Sequence, residues 1–194
     1  MVHNQKTQKS GVSKKSSSRL PIKALVTCAL LVSMSVIIGQ LSMIFANPTL
    51  RIGVARIPIV IASMLFGPFA GALAGFIQDI VGVAVSGLGF HPGFTLSAVL
   101  VGMIPGMVVW FTRNKLDKKK TFTLLNTVVA TLLIFLLVNL TLDTYWASTI
   151  LGDAYLVLLP VRAVIYGLIA VITTVVIVTL STVLESFKNS TLKL

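Results

Sequence analysis

Few residues of this chain could do chemistry, and most lie in apolar surroundings. Between Arg51 and Ser97 an apolar stretch, RIGVARIPIVIASMLFGPFAGALAGFIQDIVGVAVSGLGFHPGFTLS, holds two arginines, the pair Gln78-Asp79, His91 and repeated Gly and Pro. Asn139 and Arg162 interrupt later apolar runs, with Tyr145 and Trp146 between them. An ionisable group at membrane depth costs about 2.5–3.5 kcal/mol on insertion scales, so such groups face a protein interior or a cavity. Gly and Pro let membrane helices break where a ligand or another backbone comes close. The combination predicts a small-molecule site inside a helical membrane bundle. Catalytic constellations are absent from the sequence. There is no G-x-x-x-x-G-K-[ST], no H-E-x-x-H and no G-x-S-x-G. The histidines are His3 and His91, the single cysteine is Cys28, and no His/Cys set has metal-ligand spacing. These features argue against an enzyme, a metal site and a self-powered pump, and in favour of binding.

Composition sets the elements that must position these groups. The chain has 194 residues, 56% hydrophobic and 11% charged, with a mean hydropathy of +0.98. Soluble domains carry about 25% charged residues, so the class is a polytopic membrane protein. Its net charge of +11 raises the question of nucleic acid, which the placement of the charges answers. Thirteen of the sixteen basic residues flank apolar runs: six in the N-terminal segment up to Lys23, five between Arg113 and Lys120, two in the C-terminal tail. That is the positive-inside pattern of membrane retention. Only Arg51, Arg56 and Arg162 escape it. By this topology they lie toward the outer side, where a cationic cavity suits an anionic solute.

Residues 1–21 are rich in Ser, Lys and Gln and read as a disordered cytoplasmic tail. Ile22–Phe45 is too long for a signal-peptide core and reads as a retained first span, with Ala29 and Ser33 in small-xxx-small spacing. Ile57–Phe90 is apolar throughout and breaks at Gly67-Pro68. Because the basic N-terminus and the basic Arg113–Lys120 loop should share one side, this stretch must contribute two short spans, Ile57–Phe69 and Gly71–Val85. Pro92–Phe111, Thr121–Leu142 and Leu156–Leu184 complete six spans. Asp143 and Asp153 are placed in an external loop, and both termini are cytoplasmic. The expected fold is all-α: a six-helix transmembrane domain over 22–186 and a short tail over 187–194.

The segment resembles a known family. Arg51-Ile52-Gly53, Ile57-Pro58, Leu65-Phe66-Gly67-Pro68, Asp79-Ile80-Val81-Gly82 and Pro92-Gly93-Phe94-Thr95-Leu96-Ser97 are similar to the folate (FolT-type) family of substrate-binding S components of energy-coupling factor (ECF) vitamin transporters. Asn139 and Leu159-Pro160-Val161-Arg162 fit the same pattern. The resemblance implies high-affinity capture of folate near the outer side of the bundle at the bacterial cell membrane. It also implies docking on a membrane scaffold subunit and two ATPase subunits, which bind the ATP. The family's first-helix Ala-xxx-Ala contact with the scaffold falls on Ala29 and Ser33. Relatives of the same fold take other vitamins, such as thiamine or a pyrimidine precursor. A lipid-acting membrane enzyme is the reading from another class, and a ligand-free assembly protein the third.

On that resemblance the candidate site residues are Arg51, Arg56, Gln78, Asp79, Phe90, His91, Phe94, Thr95, Ser97, Asn139, Trp146 and Arg162. Arg51 or Arg56 could pair the glutamate-tail carboxylates of folate, and the competing reading is interfacial snorkelling. Asp79 could accept the guanidine-like N–H edge of a pterin, or could serve as a structural acceptor beside Gly82; because neighbours in a helix point differently, at most one of Gln78 and Asp79 is expected to face the site. Phe90, His91 and Phe94 could sandwich a flat ring, with Thr95 and Ser97 supplying hydrogen bonds. The alternatives are bundle packing for the phenylalanines and a solvated loop for His91. Asn139 should bond to something inside. Tyr145 and Trp146 also suit an interfacial belt, and Arg162 is a further site candidate.

Overall fold

The computed structural model describes residues 22–45, 53, 55–87, 89–115, 124–152, 155–180, 183 and 185–186. The expectations for both tails and for Arg51 lie outside them. The described residues form helices and connecting turns, with no strand. Helix α1 is Ile22–Phe45, the range the hydropathy predicts. Helix α2 is Ile57–Phe66 and α3 is Pro68–Ser86. Between them Gly67 adopts φ +94°, a conformation open to Gly, and Pro68 starts the next helix. The break therefore falls where Gly-Pro predicts it, but the two halves are unequal. Helix α3, at 19 residues, is long enough to cross a membrane, whereas α2 has ten. Ten residues rise only about 15 Å, half of a hydrocarbon core of about 30 Å.

Helix α4 is Pro92–Lys115, and α5 is Leu124–Leu133. A π-helical stretch, Ile134–Asp143, follows without a break and leads into α6, Thr144–Leu151. Helix α7 is Tyr155–Thr179. Five helical segments among the described residues have the length and composition of membrane spans. Large apolar side chains such as Leu30, Phe69, Leu156 and Val171 point outward, as lipid contact requires. The central core joins α2, α4, the π-helical stretch and α7 through Val60, Met64, Val101, Val138 and Ile177.

Small residues hold α3 against α4, the most extensive contact between described elements. A Cβ on Gly71 would collide with the carbonyl oxygen of Gly102, one on Gly102 with that of Gly71, and one on Gly75 with that of Ala98. With lipid tails as apolar as leucine, such close backbone approach is what holds membrane helices together. Pro105 interrupts the hydrogen-bond ladder of α4. The N–H of the next residue, Gly106, donates to the buried Ser63 Oγ of α2, 2.8 Å away, which ties α2 to α4.

Candidate ligand-binding site

Arg56 stands at the N-terminus of α2, in the turn that leads into it. That turn is tied to α1 by the Ser35 hydroxyl, which donates to the Ala55 carbonyl. The Arg56 side chain runs inward. One guanidinium nitrogen donates to Asn139 Oδ1 at 2.6 Å and the other to Asp143 Oδ2 at 2.9 Å. The side chains of Arg56 and Asp143 are 11% and 0% exposed, so this is a buried ion pair. The expectation that Asp143 lies in an external loop is overturned: the helix continues past Leu142, and the acid closes the π-helical stretch inside the bundle. The Thr144 hydroxyl donates to the Asn139 carbonyl, five residues back, which anchors the widened coil. Asn139 thus finds the internal partner expected of it.

The backbone at the same position meets α7. Arg162 donates to the Asp143 carbonyl at 3.2 Å, and its guanidinium lies 5.9 Å from the ring centroid of Tyr166. Arg162 therefore faces the bundle. Asp143 Oδ1 and the Tyr166 hydroxyl are buried without a hydrogen-bond partner among the described residues.

On the other side of Arg56 a cavity of about 190 Å³ opens between α1, α3 and α4. Gly39, Ala55, Arg56, Gln78, Asp79, Gly82, Val83, Gly89, Phe94 and Ala98 line it. Four candidates therefore meet there, Arg56, Gln78, Asp79 and Phe94, and both members of the Gln78-Asp79 pair reach the cavity, which corrects the expectation that at most one would. Thr95 stands behind Asp79, its hydroxyl donating to Asp79 Oδ2 at 2.7 Å. A carboxylate has about four lone-pair sites, so Asp79 keeps acceptor capacity toward the cavity. The Gln40 amide donates to the Gly82 carbonyl at 3.2 Å and joins α1 to α3 beside the cavity.

An aromatic group packs behind Phe94. His91 packs 5.6 Å from Phe94 and 5.6 Å from Trp146, and Tyr145 packs 5.0 Å from Trp146. His91 Nδ1 accepts the Gly93 N–H, and the Trp146 indole covers Gly93 so closely that a Cβ there would overlap it. The Trp146 N–H is buried without a partner among the described residues. His91 and Trp146 thus join the start of α4 to α6. Phe90 is exposed, and Ser97 is buried with no hydroxyl partner among the described residues; neither lines the cavity.

Ala29 and Ser33 lie elsewhere, on the exposed face of α1, in an apolar groove of about 480 Å³ shared with α3. The Ser33 hydroxyl donates to the Ala29 carbonyl of its own helix, so the groove presents little polarity.

Comparison with known proteins decides the family. The profile of the ECF transporter, substrate-specific component, matches residues 23–183. The chain belongs to the S-component family of ECF transporters. It is 31% identical over 144 residues to the folate transporter FolT of Clostridium novyi, covering 74% of this chain and 78% of that one. It is 36% identical over 75 residues to a UPF0397 protein of Vibrio atlanticus, covering 39% and 40%. It is 29% identical over 104 residues to an uncharacterized protein of Mycoplasma pneumoniae, covering 48% of this chain and 22% of that one. The S component is thus part of a transporter and not an enzyme. Its apolar helices make it a multi-pass protein of the bacterial cell membrane.

The reading by residue type missed Asp143, Gly39 and Gln40. For Asp143 the signal was present: Asn139 and Asp143 are four apart, hence on one helical face, opposite two arginines without an assigned acid. Gly39 stands four residues after Ser35, a small-residue spacing that marks a helix contact, but nothing in α1 reveals which neighbour Gly39 or Gln40 meets.

Proposed function

We propose that this S component captures folate or a reduced folate from outside the cell and delivers it through an ECF complex. The reading rests on one observation above all: the identity with the folate transporter FolT runs over most of both chains. The cavity supports it chemically. A pterin presents neighbouring N–H donors along one edge, which complement a carboxylate acceptor such as Asp79. Phe94 offers an aromatic face to a flat bicycle, Gln78 a second polar contact, and Arg56 a cation. Pockets for drug-sized ligands measure about 300–1,000 Å³. At about 190 Å³ the cavity suits the bicyclic head, with the glutamate tail reaching outward. Arg51 and Arg162 are the cations for its carboxylates, and the His91–Trp146 joint steadies the wall behind Phe94.

The rest of the machine follows from the same reading. A membrane scaffold docks on the α1 groove at Ala29 and Ser33, and two ATPase subunits supply the energy. Six membrane passages with both termini cytoplasmic satisfy every basic cluster, with α2 as the short passage. The test is equilibrium binding in detergent. Saturable folate binding that thiamine and pyrimidine precursors do not displace is the expected result. Displacement by one of those compounds, with no binding of folate, overturns the ligand.

A further inference from the structure

We propose that Asp143 is the positioning residue of the ligand site: its buried carboxylate holds Arg56 as the cationic wall of the cavity without touching the ligand itself. The inference rests on the folate reading and deepens it. Arg56 lines two spaces at once, the cavity of about 190 Å³ and a smaller one of about 30 Å³ bounded by Asn139, Ile134 and Thr173. Arg56 therefore borders both. A four-bond side chain at the end of a helix has many rotamers, and only a fixed one gives a ligand a defined cation. Two acceptors on the π-helical stretch, Asn139 Oδ1 and Asp143 Oδ2, select that rotamer.

Asp143 is suited to the role. It is fully buried, it is absent from the lining of the cavity, and its second carboxylate oxygen has no partner among the described residues. The contact from Arg162 is to the Asp143 backbone carbonyl, so a side-chain substitution leaves that acceptor in place and isolates the effect on Arg56. Neutralisation by Asp143 also changes what Arg56 offers. A guanidinium whose charge is balanced from behind takes a neutral acceptor, such as a pterin carbonyl, at lower desolvation cost than a bare cation. Arg162, which donates to the Asp143 carbonyl and lies over the Tyr166 ring, keeps its charge for an anion.

The test is a double-mutant cycle on folate affinity with the full chain in detergent, using Asp143→Asn, Arg56→Gln and the double variant. Binding is normalised to folded protein by size-exclusion monodispersity. Asp143→Asn is expected to raise the folate Kd about tenfold, within the coupling range of contacting residues, and to do so only while Arg56 is present. Asp143→Glu, which keeps the charge, is expected to fold and to fall between the Asn variant and the unaltered chain. A purely structural acid would lower the melting temperature without changing the Kd of the folded fraction. Unchanged Kd in Asp143→Asn, or in Asp143→Glu should the Asn variant not fold, overturns the proposal. Additive losses across the cycle overturn it too. If the unaltered chain binds no folate, the folate reading falls and this inference with it; if it binds folate and the cycle is additive, only this inference falls.

Discussion

Asp143 and Arg56 stand 87 positions apart in the chain and meet in a buried ion pair. Such pairs are costly to break and cheap to replace. Removing one partner strands a charge and costs about 3–5 kcal/mol, whereas apolar substitution of both is often neutral. Asp143→Ala should therefore destabilise the chain by about that amount, and Arg56→Met with Asp143→Leu should recover most of it. Thermal unfolding in detergent measures both; equal losses in the single and double variants would contradict the pairing. In the cavity, Asp79→Asn removes a charged acceptor. Hydrogen bonds to charged groups are worth about 1.5–3 kcal/mol, so folate affinity should fall about ten- to hundredfold. Thr95→Val should cost less, because Thr95 only backs the carboxylate. A fluorescence-quenching titration checks the order of the two.

Among elements, the clearest feature is how small residues let α3 and α4 touch. Gly71→Val or Gly102→Leu should force these helices apart and cost about 1–3 kcal/mol or more by overpacking, read as a lowered melting temperature. At Gly93 even Ala collides with the Trp146 indole; Gly93→Ala should shift the intrinsic tryptophan emission and weaken binding by displacing the His91–Trp146 joint from behind Phe94. Unaltered emission would separate that joint from the site. These elements were unequally legible in the sequence. Ile22–Phe45 and the Gly67-Pro68 break follow from hydropathy and backbone chemistry, which are local. The Gly71-xxx-Gly75 and Gly102-xxx-Gly106 spacings were as visible as that of Ala29 and Ser33, but spacing alone does not name the helix that a small face meets. The π-helical stretch was not legible, because one apolar run of this length serves α- and π-geometry alike. A charge beside the end of an apolar run reads as a loop, so Asp143 was placed outside; only the long-range meeting with Arg56 moves it in.

For the whole molecule, two surfaces stand apart. The cavity between α1, α3 and α4 holds Arg56, Gln78, Asp79 and Phe94, while the α1–α3 groove at Ala29 and Ser33 is apolar and free of the site's polar groups. Their separation predicts separable defects. Ala29→Phe or Ser33→Trp should leave folate binding by the isolated chain unchanged and abolish copurification with a scaffold subunit and folate uptake in cells. Loss of binding in these variants would mean that the groove and the cavity are not independent. The candidate site was legible as residue types, since Arg, Asp, Gln and aromatics in an apolar segment have few other uses. Which of them converge was not, because convergence depends on how helices rotate against each other.

The claim on which the rest depends is that this S component carries folate. Mass spectrometry of the small molecule released from the chain, purified in mild detergent from cells grown with mixed vitamins, tests it most directly. A folate or reduced folate in stoichiometric amount is the predicted result; another vitamin in that amount would contradict it.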